Sequence, residues 1–195
     1  MISSQRAGEI LADAFLHYPL MCYAFDGHTV EERSKLVLQL YTRCAAAASM
    51  YGGIVATDDL TAALIWLPSS NFPLSLWQEV RSGMGLIPVK LGPKATLRLI
   101  RHDAEPEGWI RQQEDEKMGY IWCLGVAADQ RGKGYSRILI DKTIAEMKAQ
   151  GLTSFWLKTE DPKNVAIYLK LGFEMIYETV VKSSGINSWV FKRTY

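Results

Sequence analysis

The stretch Gly125 to Arg137, GVAADQRGKGYSR, is the first place where residue types and spacing suggest chemistry. An apolar run ends, a short polar turn follows, and a glycine-rich turn feeds a helical pattern. Gly132 and Gly134 remove side chains where the chain turns, so backbone N–H groups can approach a ligand. Those amides and the helix N-terminus form a phosphate cradle, to which Arg131 and Lys133 add local positive charge. A Walker A loop does not fit, because six residues separate Gly125 from Gly132 and Lys133 is followed by Gly134 rather than a hydroxyl. A dinucleotide fingerprint does not fit either, because Arg137 stands where the third glycine belongs. The pattern Arg-x-x-Gly-x-small is matched by Arg131, Gly134 and Ser136.

A second stretch, Asp161 to Phe173, reads DPKNVAIYLKLGF. Asp161-Pro162 supplies an N-cap and a first-position proline, and Gly172 ends the helix. On its own, Tyr168 reads as a core tyrosine on the inner face of that helix and Asn164 as a first-turn hydrogen bonder.

These stretches need a scaffold. Helical spacing covers residues 4–17 and stops at Pro19; a second helix starts at Thr29, with Glu32 completing a capping box, and runs to about Ser49. Residues 53–56 and 60–67 read as a strand pair around Asp58-Asp59. Prolines 68, 73, 88, 93 and 106 divide residues 68–118 into short helical pieces, a segment with seven Lys/Arg and seven Asp/Glu. Strand 119–127, helix 134–149, strand 153–159, the helix from Asp161 to Gly172, and strands 173–181 and 187–193 complete the chain. That order predicts a mixed α/β sheet with helices packed on it.

The 195 residues carry a net charge of +1, with 48% hydrophobic and 22% charged residues. A near-neutral chain argues against a nucleic-acid partner, and no apolar run approaches a membrane span. Cys22, Cys44 and Cys123 are widely spaced, without a C-x-x-C pair, so we expect no metal site, free thiols and a cytoplasmic address.

With both motifs in hand, the sequence resembles the GNAT superfamily of N-acetyltransferases, well over residues 115–192 and more weakly over 4–67. Within it, Ala63-Leu64-Ile65-Trp66 before Pro68, Leu124-Gly125-Val126 and the late Trp189 are most similar to the puromycin N-acetyltransferase-like branch. The resemblance implies one domain, residues 1–195, with a helical insertion at about 68–118 and helices on both faces of a mostly antiparallel sheet. It implies acetyl-CoA as cosubstrate and a primary amine of a small molecule as acceptor, attacking the thioester directly. It also implies a monomer or homodimer. By the same resemblance, the backbone of Leu124 and Val126 would pair with the pantetheine arm. Residues Arg131, Gly132, Lys133, Gly134, Tyr135 and Ser136 would hold the pyrophosphate. Asn164 would contact the cosubstrate, and Tyr168 would be the general acid.

The general base is not legible. Many relatives carry a glutamate on the strand before the loop, and by register that position is Tyr120. His17, His28 and Glu160 are alternatives, with Cys123 a remote candidate for an acyl-carrying nucleophile. Trp66, Trp77 and Tyr18 are candidates for an aromatic acceptor pocket. Two competing readings remain: a CoA-binding module without turnover, and an enzyme acting on peptides.

Overall fold

The computed structural model describes residues 2–194. Helices α1 (Ser4–Phe15), α2 (Pro19–Ala24) and α3 (Val30–Tyr51) lead into strands β1 (Gly53–Ala56) and β2 (Ala62–Pro68). Helices α4 (Leu76–Ser82), α5 (Ile87–Leu91) and α6 (Pro93–Arg111) precede β3 (Met118–Val126) and α7 (Tyr135–Ala149). The chain ends with β4 (Ser154–Thr159), α8 (Pro162–Lys170), β5 (Glu174–Val180) and β6 (Asn187–Thr194).

The strands form one sheet in the order β1-β2-β3-β4-β6-β5. All neighbours are antiparallel except β3 and β4, which run parallel. Alternation along β2 feeds both faces. Ala63 and Ile65 pack under α1, α2, α3, α5 and α6, whereas Leu64 and Trp66 face the core shared with Leu139, Ile140, Ile144 and Met147 of α7. The expected mixed α/β sheet with helices on both faces is therefore present.

Local signals explain most element ends. Thr29 caps α3 through a reciprocal bond with Glu32. Two prolines behave otherwise than expected. Pro19 opens α2 rather than only ending α1, because a first-turn proline gives up no helical bond. Pro106 lies inside α6 and does not divide it. It forfeits one helical hydrogen bond, but Ala95, Thr96, Leu99, His102 and Ile110 are buried on both sides of it, and that packing holds the helix together.

What fastens α6 to the sheet is a buried cluster of charge. Lys158 Nζ of β4 lies 2.7 Å from Asp103 Oδ1 and 3.0 Å from Glu160 Oε1. Glu160 also accepts from the Tyr18 hydroxyl at 3.0 Å and the Ser188 hydroxyl at 3.2 Å. His102, fully buried on α6, sits 3.4 Å from Glu160 through Nε2 and 2.8 Å from the Ser184 hydroxyl through Nδ1. Burial works to raise the Glu160 pKa. The Lys158 ammonium, then His102, overcome it and hold the carboxyl down to about 2.

A carboxyl lowered from 4.5 to about 2 on folding stabilises the fold fully above pH 4.5, and the contribution is lost as pH falls towards 2. Glu160→Gln should therefore flatten the acid limb of stability between those values. At neutral pH it should cost about 3–5 kcal/mol, because Lys158 loses the buried one of its two carboxylate partners. Urea denaturation across a pH series measures both effects.

Candidate active site

Pairing between β3 and β4 ends at Ile121 opposite Leu157. Beyond that point β3 stays with β2 as far as Val126, and β4 stays with β6 as far as Thr159. The two parallel strands thus part and leave a gap in the middle of the sheet. The Ala127 N–H donates to Thr61 O at 2.9 Å, towards β2. Backbone direction alternates along a strand, so the N–H and C=O groups of Val126 and Leu124 point the other way, into the gap. Val126 O is met there by Arg131 Nε at 3.3 Å.

The loop that follows β3 is open at its backbone. Gly132 and Gly134 take φ values of +79° and +83°, a left-handed conformation that a side chain disfavours. No space constraint acts as well: a Cβ at either would meet nothing within 4 Å. Gly134 is the N-cap of α7 and supplies no side-chain cap. Among the described residues, the amides of Gly132, Lys133, Gly134, Tyr135 and Ser136 have no backbone partner. Such a row of donors at a helix N-terminus suits a phosphate-bearing ligand. The side chains are arranged around it rather than all aimed at it. Arg131 ties the loop to Val126 O and to Ala14 O at 3.3 Å, Lys133 Nζ bonds Gln130 Oε1 at 2.8 Å, and the Tyr135 hydroxyl bonds Asp59 Oδ2 at 2.7 Å. Ser136 is half-buried on the first turn of α7.

The gap opens into a cavity of about 820 Å³. Its sheet wall is Ile121 to Leu124 and Leu157 to Glu160, and α8 contributes Asn164 and Tyr168. Helices α1 to α6 close the other side with residues such as Phe15, Leu40, Met84 and Leu99. Tyr168 is 8% exposed, and its phenol has no hydrogen-bond partner among the described residues. Burial, then the neighbouring Cys123 and Glu160, push its pKa up, so it carries its proton at neutral pH. Asn164 Nδ2 donates to Thr159 Oγ1 at 3.0 Å, and so braces the end of β4 as well as facing the cavity. Burial raises the Cys123 thiol well above its ordinary value, which leaves little thiolate for nucleophilic attack.

The structure brings Leu124, Asn164, Tyr168, Tyr18 and Glu160 to this cavity. It keeps out His17 and His28, which are exposed, and Trp77, which is 69% exposed on α4. Trp66 is fully buried in the core on the opposite face, so it is not an acceptor-pocket residue. Glu160 is a poor candidate for the base, since its oxygens are filled by donors and its pKa is depressed. Sequence reasoning missed Asp103, Glu107, Arg111 and Lys158, all on the cavity wall. Leu99, Asp103, Glu107 and Arg111 recur every fourth residue, one face of a helix, but Pro106 masked that signal.

Residues 68–173 match the family model described as the acetyltransferase (GNAT) family. The match therefore takes in α4 to α6 as well as both motifs. An uncharacterized N-acetyltransferase of Schizosaccharomyces pombe is 23% identical over 175 residues, 87% of this chain and 70% of that protein. A mycothiol acetyltransferase of Streptomyces coelicolor is 27% identical over 90 residues, 42% of this chain and 29% of that protein. Among solved structures, a Drosophila melanogaster polyamine N-acetyltransferase superposes with a TM-score of 0.58 at 13% identity, covering 100% of this chain and 98% of that one. The C-terminal condensation domain of Ebony gives 0.66 at 10% identity, covering 100% and 96%. These superpositions speak for the fold, and the family match speaks for the chemistry. The chain belongs to the GNAT family of N-acetyltransferases, whose acetyl donor is acetyl-CoA.

Proposed function

We propose that this chain transfers the acetyl group of acetyl-CoA to the primary amine of a small molecule with a largely apolar body. The observation that carries the reading is the continuity of the β3–β4 gap with a cavity that has Tyr168 on its wall. The donor supplies an activated thioester carbonyl. The gap-facing backbone of Leu124 and Val126 offers hydrogen bonds to an extended arm. The amides of Gly132 to Ser136, with Arg131 and Lys133 beside them, offer positive potential to a pyrophosphate. Asn164 contributes a polar contact at the mouth of α8. Tyr168, protonated and unpartnered, is positioned as proton donor to the departing sulfur.

The acceptor side supports the substrate class. Its walls are mostly Phe, Leu, Met, Ile and Tyr side chains, and Leu76, Val80 and Ile100 carry the apolar lining to the surface, where they are 82%, 65% and 60% exposed. The β2 segment Ala63 to Trp66 before Pro68 supports placing the chain in the puromycin N-acetyltransferase-like branch, as part of the same proposal. It carries no claim about puromycin itself.

Purified protein with acetyl-CoA and an amine panel should release free thiol, fastest with arylalkyl or alkyl monoamines and at least about 10-fold slower with polyamines or aminoglycosides, as each buried methylene group favours binding. No thiol release, where a related acetyltransferase run in parallel is active, would sink the transfer reading. CoA binding without transfer would favour a binding module instead. Products only on peptides would move the acceptor class.

Tyr168→Phe keeps the ring and deletes the donor. It should lower turnover by about 100-fold and leave CoA affinity by calorimetry nearly unchanged. Equal loss of both would assign Tyr168 to binding.

A further inference from the structure

Strand β3 presents no carboxylate to the cavity: the residues from Tyr120 to Leu124 are Tyr, Ile, Trp, Cys and Leu. Four carboxylates nevertheless line the chamber, Glu79, Asp103, Glu107 and Glu160. Chemistry separates them. Glu160 is saturated with donors from Lys158, Tyr18 and Ser188. Asp103 is committed to Lys158 at 2.7 Å. Glu79 stands on α4, one residue from the surface-exposed Val80. Glu107, half-buried on α6 beside the buried Pro106 and Ile110, has free oxygens. It makes no hydrogen bond or ion pair among the described residues, and part of its surface is open to the cavity.

Its place on the sheet is also informative. Of the charges acting on the Tyr120 phenol, Glu107 is the strongest, ahead of Lys158, Asp103 and Glu160. Tyr120 is fully buried, and its hydroxyl has no hydrogen-bond partner among the described residues. Glu107 of α6 lines the same cavity as Ile121 to Leu124 of β3, and so offers from the helical side the carboxylate that this stretch lacks.

We infer that Glu107 is the general base of the transfer, receiving the proton that the acceptor nitrogen sheds as it attacks. The inference rests on the acetyl-transfer reading. In the step, a neutral amine forms the N–C bond to the acetyl carbon while the C–S bond breaks. One N–H proton passes to the Glu107 carboxylate, and the Tyr168 phenolic proton passes to the sulfur. The Glu107 proton then returns through solvent to the Tyr168 oxygen, so the products are the amide and free CoA thiol.

The surroundings suit this role. Burial, then Asp103, push the Glu107 carboxyl up to about 8, against the opposing pull of Lys158 and Arg111. The groups acting on it are Asp103 and Arg111 on α6, Lys158 on β4, Glu160 just after β4, Tyr120 on β3 and Cys44 on α3, and Glu79 of α4 lines the same cavity. A base with a pKa near the working pH is both available and strong enough to take a proton.

The test uses Glu107→Gln with an acceptor whose own ammonium titrates below about pH 6, so that amine ionisation does not mask the base. Wild-type kcat/KM should fall about tenfold per pH unit below about 8. Glu107→Gln should lose about 10²–10⁴ in kcat/KM and lack that limb, while CoA affinity by calorimetry stays within twofold. Glu107→Asp should restore part of the rate and a displaced limb, which keeps the test valid if the glutamine variant folds poorly. Glu79→Gln should retain the wild-type limb. Activity of Glu107→Gln within threefold of wild type with the limb intact would overturn the assignment and leave acetyl transfer standing. So would loss of the limb in Glu79→Gln. A wild type that binds CoA and acetylates nothing would instead overturn the reading on which it rests.

Discussion

Strands β3 and β4 stop pairing after Ile121 and Leu157, and the rest of the molecule is organised around that break. A parallel pair in the middle of a sheet normally satisfies its own backbone. Here the groups of Leu124 and Val126 are turned into the gap instead, and buried backbone polar groups need partners. A ligand with amide groups of its own is of the kind that can satisfy them. The sheet tolerates it because each strand keeps its other neighbour: β3 remains bonded to β2 through Val126, and β4 to β6 through Thr159. The flanking antiparallel pairs hold the two halves of the sheet while the centre opens.

An open centre needs a cover, and the cover must be held without filling the space beneath it. Apolar packing alone would collapse onto the gap. The structure instead uses a few directional contacts at the edge of the chamber. Lys158 of β4 bridges Asp103 of α6 and Glu160 just beyond the strand, and Tyr18 joins the start of α2 to the same carboxylate. Glu105, on the same helix, accepts from Thr179 and from the Lys182 amide. Removing charges from water is costly, so the cluster is better understood as fixing the position of α6 than as a large source of stability. Both functions of the helix follow from that position: it walls the cavity and it brings Glu107 inside.

The parts of this arrangement that were legible in the sequence are the parts set by local chemistry. Gly132 and Gly134 announced a turn with an open backbone, and the structure gives them the left-handed angles that favour glycine. Thr29 with Glu32, and Asp161 with Pro162, announced helix starts because capping depends on residues three or fewer apart. Apolar runs bounded by turn residues announced strands at 60–67 and 119–127, close to the observed Ala62–Pro68 and Met118–Val126. The acceptor side was not legible, for two reasons. Pro106 is a breaker by local rules, and only burial of Leu99, His102 and Ile110 overrules it. The meeting of Asp103, Glu107, Lys158 and Glu160 is a tertiary fact, joining residues about 50 positions apart on elements whose relative placement no short motif encodes. Trp66 shows the converse error. Its residue type suited a pocket, but its parity on β2 sends it to the other face.

The two glutamates in this chamber show how environment assigns roles to one residue type. Glu160 and Glu107 are both deep, so burial alone would raise both. What separates them is company. Glu160 has Lys158 and His102 against its oxygens and stays ionised down to about pH 2, where it serves as an anchor that ordinary pH changes leave intact. Glu107 has Asp103 for a neighbour and no donor on its oxygens, so its carboxyl is driven up to about 8. Lys158 makes its ion pairs with Asp103 and Glu160, and its pull on Glu107, made without an ion pair, does not offset burial and Asp103. The anchor that positions α6 thus leaves Glu107, on the cavity wall without an ion pair among the described residues, free to gain and lose a proton.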